Sequence, residues 1–194
     1  MQIEVYKLIS QFCGNHTELM FMKFDAQLIS ALVRLLVAGL DNEPSFEIQT
    51  EIASSINNFC EFMHTRLSRK PTDKSLFLVQ CVKRYFDAEF PTVKLFLQNL
   101  TYLMVFGDCK NIWLFQKSYH AALALVALRE QPQQVVWDVI AKHEGSEERL
   151  KKLSTELECL FKGLNLGSLE SKSREHFSTN FNTFKNFLND FNNT

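Results

Sequence analysis

The sequence has few residues that interrupt helices, with only 6 glycines and 4 prolines among 194 residues. An average protein of this length contains roughly twice as many of these two residues. Sandwiches and barrels require turn-forming residues about every 8–12 positions. The shortage therefore argues against both folds and predicts a small number of long elements.

The chain also lacks an excess of charge of either sign, because 21 Lys and Arg balance 22 Asp and Glu. A net charge of -1 provides no basic field for a phosphate backbone, so nucleic-acid binding is not expected. The longest apolar stretch, Leu28–Leu40, is shorter than the roughly 20 residues that span a bilayer. No signal peptide opens the sequence. We expect a soluble intracellular protein that does not bind membranes.

Apolar residues recur at helical spacing along almost the whole chain. The pattern predicts helices over 3–12, 25–40, 45–69, 73–88, 91–106, 111–128, 132–141, 146–161 and 173–191. Asp25, Ser45, Asn111 and Ser146 are the predicted N-caps of four of them. The short breaks favour antiparallel pairs, and the pairs recur about every 45 residues, as in HEAT or armadillo repeats. We predict one all-α domain over 1–194, an α-solenoid of antiparallel helix pairs.

Two Cys/His pairs are the sharpest candidates for a metal site, namely Cys13-x2-His16 and Cys60-x3-His64. Cysteine and histidine are the ligands that zinc prefers. However, 43 residues, including a helix that is apolar on most sides, separate the pairs. The five cysteines include no C-x-x-C pair, which is typical of reduced intracellular thiols. We therefore expect no bound metal.

Motifs of common enzyme classes are absent from the sequence, including G-x-S-x-G, the Walker loop, G-x-G-x-x-G and H-E-x-x-H. The Asp108-Cys109 pair at a helix boundary is the only candidate for an activated thiol, and no base is recognisable around it. We expect a protein that is not an enzyme and that has no cofactor. A zinc-dependent enzyme remains a distant alternative.

Two groups of residues are candidate interaction surfaces. A basic patch surrounds one loop between helices and contains Arg66, Arg69, Lys70, Lys74, Lys83 and Arg84. This patch is either a solvated loop or a surface that faces an acidic protein. A stripe of aromatic side chains follows the last predicted helix and contains Phe177, Phe181, Phe184, Phe187 and Phe191. The stripe either closes the core of a helix pair or anchors a partner in a groove.

One run of residues resembles the carboxy-terminal region of the exportin-7 family, Ran-binding receptors of the importin-β superfamily. The run is Val105-Phe106-Gly107-Asp108-Cys109-Lys110-Asn111-x-Trp113, preceded by Leu95-Phe96-Leu97-Gln98-Asn99-Leu100. In that family an apolar helix ends in an aromatic residue, and an Asp-Cys-basic-Asn-x-Trp run opens the next helix. The segments Leu67-Ser68-Arg69 and Arg174-Glu175-x-Phe177-x3-Phe181-x2-Phe184 also look similar. After Trp113 the sequence departs from the family, with Phe115-Gln116-Lys117-Ser118 in place of a more polar stretch containing proline.

The resemblance implies a non-enzymatic segment of a HEAT-repeat receptor that carries protein cargo out of the nucleus. Phe106, Asp108, Cys109, Asn111 and Trp113 would be structural residues of the family motif. The partners of the complete receptor would be protein cargo, GTP-bound Ran and nucleoporins, and it would shuttle between nucleus and cytoplasm through the nuclear pore. Its main Ran contacts lie in amino-terminal repeats, so no Ran-contact residue is assigned here. An α-solenoid scaffold unrelated to transport is the alternative.

No capping residue precedes the first predicted helix, which starts almost at Met1. Such a start is typical of a fragment, and the resemblance to the exportin-7 family implies that the chain is the carboxy-terminal segment of a longer solenoid. We expect the isolated chain to self-associate, because a terminal repeat without its neighbour leaves apolar surface exposed.

Overall fold

The computed structural model describes residues 2–42, 45–107, 113 and 115–191, with the side chains of 2, 3, 41 and 42 excepted. Over this part of the chain the regular elements are all α-helices, which confirms the predicted all-α class. They are α1 (Gln2–Asn15), α2 (Thr17–Lys23), α3 (Ala26–Asn42), α4 (Phe46–Ser68), α5 (Leu76–Phe106), α6 (Gln116–Val126), α7 (Pro132–His143), α8 (Glu147–Phe161) and α9 (Ser171–Phe191). No helix among the described residues is both long enough and apolar enough to cross a membrane.

Hydrogen bonds at the helix ends test the predicted N-caps. The backbone N–H of Leu28 donates to Asp25 Oδ1 at 2.7 Å, and that of Arg149 donates to Ser146 Oγ at 3.4 Å. These bonds confirm both caps, because each satisfies a donor that the first turn leaves without a helical partner. Ser45 also occupies the predicted N-cap position of α4, with extended backbone angles, although its side chain makes no capping hydrogen bond. Asn111 lies outside the described residues.

The helices differ from the predicted boundaries in two places. The helix predicted over 111–128 begins as α6 only at Gln116, so Trp113 and Phe115 precede it. The short helix α2 was not expected, because the 17–23 segment is too short to show a clear apolar period. The break predicted between residues 88 and 91 is confirmed, because the two helical segments that together form α5 meet at a kink. The kink lies at Glu89, whose φ of -112° and ψ of 21° are not helical. Proline has no N–H to donate and its ring crowds the preceding turn, so the helix bends there.

The chain divides into two compact units, residues 1–96 and 97–194. In the first unit, α1 and α3 pack against α4. In the second unit, α9 packs against α6 and α8, and α7 packs against both α6 and α8. The expectation of a single helical-repeat domain over 1–194 stays a prediction.

Aromatic side chains fill the core of the first unit. The ring of Phe59 lies 5.7 Å from Phe21, 6.3 Å from Tyr85 and 5.8 Å from Phe96, centroid to centroid. Phe59 is 1% exposed, and the other three side chains are also buried. Tilted and edge-on ring pairs at such distances stabilise a core beyond the gain from burial alone.

A small polar cluster holds the kink of α5 against α3. Glu89 Oε2 accepts hydrogen bonds from Ser30 Oγ at 2.9 Å and from Thr92 Oγ1 at 3.1 Å. The Tyr85 hydroxyl lies 3.4 Å from Ser30 Oγ. Burial raises the pKa of Tyr85 to about 12, so this phenol stays protonated and neutral at physiological pH. The cluster thus contains one carboxylate and three neutral hydroxyl groups around the bend.

The loop between α7 and α8 is tied to the end of α9 by Arg149. Its Nε donates to Glu144 Oε2 at 3.0 Å, and its Nη1 donates to the carbonyl oxygen of Phe191 at 3.3 Å. The guanidinium carbon also lies 3.9 Å from the centre of the Phe191 ring. One side chain therefore combines an ion pair, a backbone hydrogen bond and a cation–π contact at this junction.

The Glu144–Arg149 pair predicts a pH-dependent contribution to stability. Burial alone would raise the pKa of Glu144, but the hydrogen bond and charge of Arg149 and backbone donors outweigh it and hold this pKa below 4.5. The contribution is therefore present above pH 4.5 and is lost as the pH falls through the lowered value. Because the pair lies near solvent, we expect Glu144→Gln to cost about 0.5–1 kcal/mol at pH 7.

Urea unfolding at pH 7 and at pH 3 measures this difference. We expect Glu144→Gln to be destabilised relative to the parent protein at pH 7 and to approach it at pH 3. Glu158→Gln, on an exposed position of α8, is the matched control and should show no such dependence. An equal loss at both pH values would contradict an electrostatic role for Glu144.

Candidate functional site

The predicted basic patch lies at the connection between α4 and α5. This connection is ordered by Thr72 and Ser75: the N–H of Thr72 donates to Ser75 Oγ and the N–H of Ser75 donates to the carbonyl of Thr72, both at 2.9 Å. These reciprocal hydrogen bonds fix the turn that directly precedes α5, which begins at Leu76. Arg69, Lys70 and Lys74 are all exposed on the same connection.

The first turns of α5 present an exposed face next to this connection. Its exposed residues are Leu76, Phe77, Gln80, Lys83, Arg84, Asp87 and Ala88, a spacing that follows one side of a helix. Leu78, Val82, Tyr85 and Phe86 point the other way and are buried. The helical period therefore places Lys83 and Arg84 on the same side as the two exposed apolar residues.

Leu76 and Phe77 are exposed although both are large and apolar. Phe77 is 63% exposed, more than any other large apolar side chain described, and Leu76 is 45% exposed. On an α-helix, Phe77 and Arg84 are seven residues apart and thus about 10 Å apart along one line, as are Leu76 and Lys83. We use the name basic corner for Arg69, Lys70, Lys74, Leu76, Phe77, Lys83 and Arg84.

Arg66 belongs to the predicted patch by sequence but makes other contacts in the structure. Its guanidinium forms an ion pair with Glu18 of α2 and lies 5.2 Å from the centre of the Phe62 ring. Because Glu18 offsets its charge, Arg66 contributes less to the field at the corner than the other five basic residues. The sequence could not show this, since the two partners are 48 residues apart.

Of the five family-motif residues, the structure describes Phe106 and Trp113. Phe106 is the last residue of α5, is half-buried, and its ring lies 5.9 Å from the ring of His143. A Cβ at the next residue, Gly107, would lie 2.5 Å from the Leu103 carbonyl oxygen, so only glycine fits there without a shift. Trp113 is 52% exposed and precedes α6. Asp108, Cys109 and Asn111 lie outside the described residues.

The aromatic stripe of α9 faces the interior of the second unit. Phe177, Phe181, Phe184 and Phe191 are buried, and Phe187 is half-buried between the rings of Phe184 and Phe191. Phe177 and Phe181 also lie 6.2 Å and 6.4 Å from the buried ring of Tyr119 on α6. Of the two alternatives for the stripe, this arrangement favours core packing.

The Cys/His pairs do not form a metal site in the part of the chain that the structure describes. No three His, Cys, Asp or Glu side chains there are grouped closely enough to hold a metal ion. Cys13 and Cys60 are buried on the packed helices α1 and α4, whereas His16 is exposed. Burial raises the pKa of Cys13 to about 12 and also raises that of Cys60, so both thiols stay protonated.

These environments predict which thiols react first. Thiolate is the reactive form of cysteine, so Cys13 and Cys60 should resist iodoacetamide at pH 8 until the protein unfolds. Cys159, which is exposed on α8, should be modified at least about 100-fold faster than either. Peptide mass spectrometry over a time course gives the three rates. Rapid modification of Cys13 in the folded protein would contradict the packing of α1 on α4.

A cleft between the start of α7 and the end of α8 was not predicted from the sequence. It has a volume of about 650 Å³, and its lining includes Gln131, Gln134, Trp137, Leu157, Cys159 and Lys162. The Nε2 of Gln134 donates to Asp138 Oδ1 at 2.7 Å, which orients one wall. The volume is in the range of small-molecule sites, but the lining residues have no motif spacing that a sequence reading could detect.

No protein-family model, curated protein or solved structure was found to match this chain. The described residues include a charged and partly apolar surface, buried aromatic side chains and open clefts.

Proposed function

We propose that this chain is a non-enzymatic, protein-binding segment of an exportin-7-like receptor that exports protein cargo from the nucleus. The observation that carries the proposal is the run from Val105 to Trp113, whose residue types resemble the family motif. The helix before it ends in the aromatic residue Phe106, as in the family pattern. The Phe-bearing helix α9 supports the same assignment.

The complete receptor would be an α-solenoid of HEAT-like helix pairs with protein cargo, GTP-bound Ran and nucleoporins as partners. It would shuttle between nucleus and cytoplasm through the nuclear pore, without binding nucleic acid or membrane and without a cofactor. This segment would act by shape and surface, closing the superhelix and contributing to its curvature. Exposed apolar residues on α1 and α3, including Leu8 and Leu28, support a further neighbour for this end of the chain.

An α-solenoid scaffold unrelated to transport is the second candidate. The helical composition and the exposed apolar side chains of α1 and α3 support it equally well. The motif around Asp108 and Trp113, together with the Phe-bearing helix α9, favours transport over this alternative.

Three measurements test the proposal. Genomic DNA upstream of the Met1 codon should contain an open frame that encodes further helix pairs, and a stop codon in that frame would contradict the proposal. The longer protein should be retained by Ran loaded with a non-hydrolysable GTP analogue and not by Ran loaded with GDP. The 194-residue chain should not bind either form and should elute as an oligomer from a sizing column. Failure of the longer protein to bind Ran would favour the scaffold.

A further inference from the structure

We propose that the basic corner binds an acidic peptide segment that carries a large apolar side chain. Leu76 and Phe77 would cover that side chain, and the cations of the corner would pair with the flanking carboxylates. The inference does not rest on the transport proposal, because it uses only the contacts and exposure of residues 66–88.

Charge is distributed unevenly along this protein, and the corner is where positive charge collects. Six of the 21 basic residues but only one of the 22 acidic residues lie between 66 and 84. Five of these six have exposed side chains, whereas Arg66 is paired with Glu18. The amino-terminal end of α5 adds the positive end of a helix dipole at the same place. The field at the corner therefore complements a segment rich in Asp and Glu.

The exposed pair Leu76 and Phe77 gives this surface an apolar contact as well. A partner that covers these two side chains removes apolar surface from water, which favours binding. Aromatic residues surrounded by polar neighbours are the usual anchors of protein interfaces. The order Leu76, Phe77, Lys83, Arg84 along one face of α5 places the apolar anchor and two cations within about two helical turns.

The size and charge of the surface favour a peptide over a lipid bilayer. An interfacial membrane helix buries a continuous apolar face along its length. Here the large exposed apolar residues are confined to the first turn of α5, and the exposed carboxylate of Asp73 comes three residues before it. That carboxylate would oppose an anionic bilayer, but a short peptide can leave it in solvent.

A random 12-residue phage-displayed library, panned against the 194-residue chain, supplies the probe. We expect the retained peptides to combine several Asp or Glu residues with at least one Leu, Met, Phe or Trp. The most enriched peptide is then synthesised with a fluorescent label, and its dissociation constant is measured by anisotropy. Raising NaCl from 50 to 300 mM should weaken binding about tenfold, because exposed charge pairs are screened. Retained peptides without acidic residues would overturn the proposal.

Two variants with matched controls locate the site. Phe77→Ala should weaken binding of the labelled peptide at least about tenfold, and Lys83→Ala with Arg84→Ala about fivefold or more. Leu128→Ala is the control for an exposed apolar residue, and Lys142→Ala with Lys172→Ala is the control for exposed lysines. Both controls should bind the peptide like the parent protein. Unchanged binding by both corner variants, with parent-like circular dichroism, would overturn the proposal.

Two further outcomes would assign the surface to another occupant. Phe77-dependent co-sedimentation with phosphatidylserine–phosphatidylcholine vesicles would replace the peptide by a membrane. A shift from oligomer to monomer on a sizing column in Phe77→Ala alone would replace it by a second copy of this chain. Either result would overturn the proposal. None of these experiments uses Ran, so their failure is distinguishable from failure of the transport proposal.

Discussion

Replacing Phe184 by alanine is expected to lower the free energy of unfolding by about 3–5 kcal/mol. Phe184 is 1% exposed in the middle of α9, and its ring is stacked 6.2 Å from that of Phe187. Alanine would remove most of the buried apolar surface and leave a cavity that the packed helices α6 and α8 can close only in part. Both effects destabilise the folded protein, so the loss of unfolding free energy exceeds the loss expected from the reduced buried surface alone.

Denaturation in guanidinium chloride, followed by far-UV circular dichroism, gives the change for Phe184→Ala. Thr183→Ala, an exposed position one residue earlier on the same helix, is the control and should remain within about 0.5 kcal/mol of the parent protein. A variant that keeps its stability but loses a binding partner would show that the α9 stripe is an exposed anchor instead of core.

An effect of similar size is expected in the first unit for Phe59→Ala, at about 3–5 kcal/mol. Three aromatic rings, those of Phe21, Tyr85 and Phe96, lie within 6.3 Å of Phe59. Phe59 lies on α4, whereas Phe21 lies on α2 and Tyr85 and Phe96 lie on α5. Removing the Phe59 ring therefore takes a ring contact away from all three. The loss therefore includes ring–ring contacts as well as buried area.

Hydrogen exchange of the α4 amides is a suitable measurement for Phe59→Ala, since it reports on the first unit directly. Phe59→Leu is the matched comparison, because it keeps an apolar side chain of moderate size and should cost about 1–2 kcal/mol. Equal protection in the alanine and leucine variants would contradict the importance of the aromatic cluster.

Much of the secondary structure could be predicted from local chemistry. The helical period and the scarcity of glycine and proline are properties of the chain itself, and they predicted the all-α class. Asp25 and Ser146 were predictable as caps because their hydrogen bonds join residues only three positions apart. Ser45 has the same chemistry but makes no capping bond, because a favourable residue type does not fix the side-chain conformation.

The candidate site was predictable only in part. Its basic residues cluster in the sequence and could be grouped from it, but the role of Leu76 and Phe77 could not. A leucine and a phenylalanine at the start of a helix suggest burial, and the sequence has no local signal for their exposure. The cleft between α7 and α8 was not predicted either. Its walls come from the start of one helix and the end of the next, and no pattern within either helix indicates it.

The sequence by itself determined that this protein is helical, where most of its helices lie, and that positive charge gathers between residues 66 and 84. These properties depend on interactions between residues a few positions apart. Tertiary structure decided which charges remain exposed, because the ion pair of Arg66 requires Glu18 from another helix. It also decided which side of α5 faces solvent, because burial of Leu78, Val82 and Tyr85 leaves Phe77 and Arg84 on the outside.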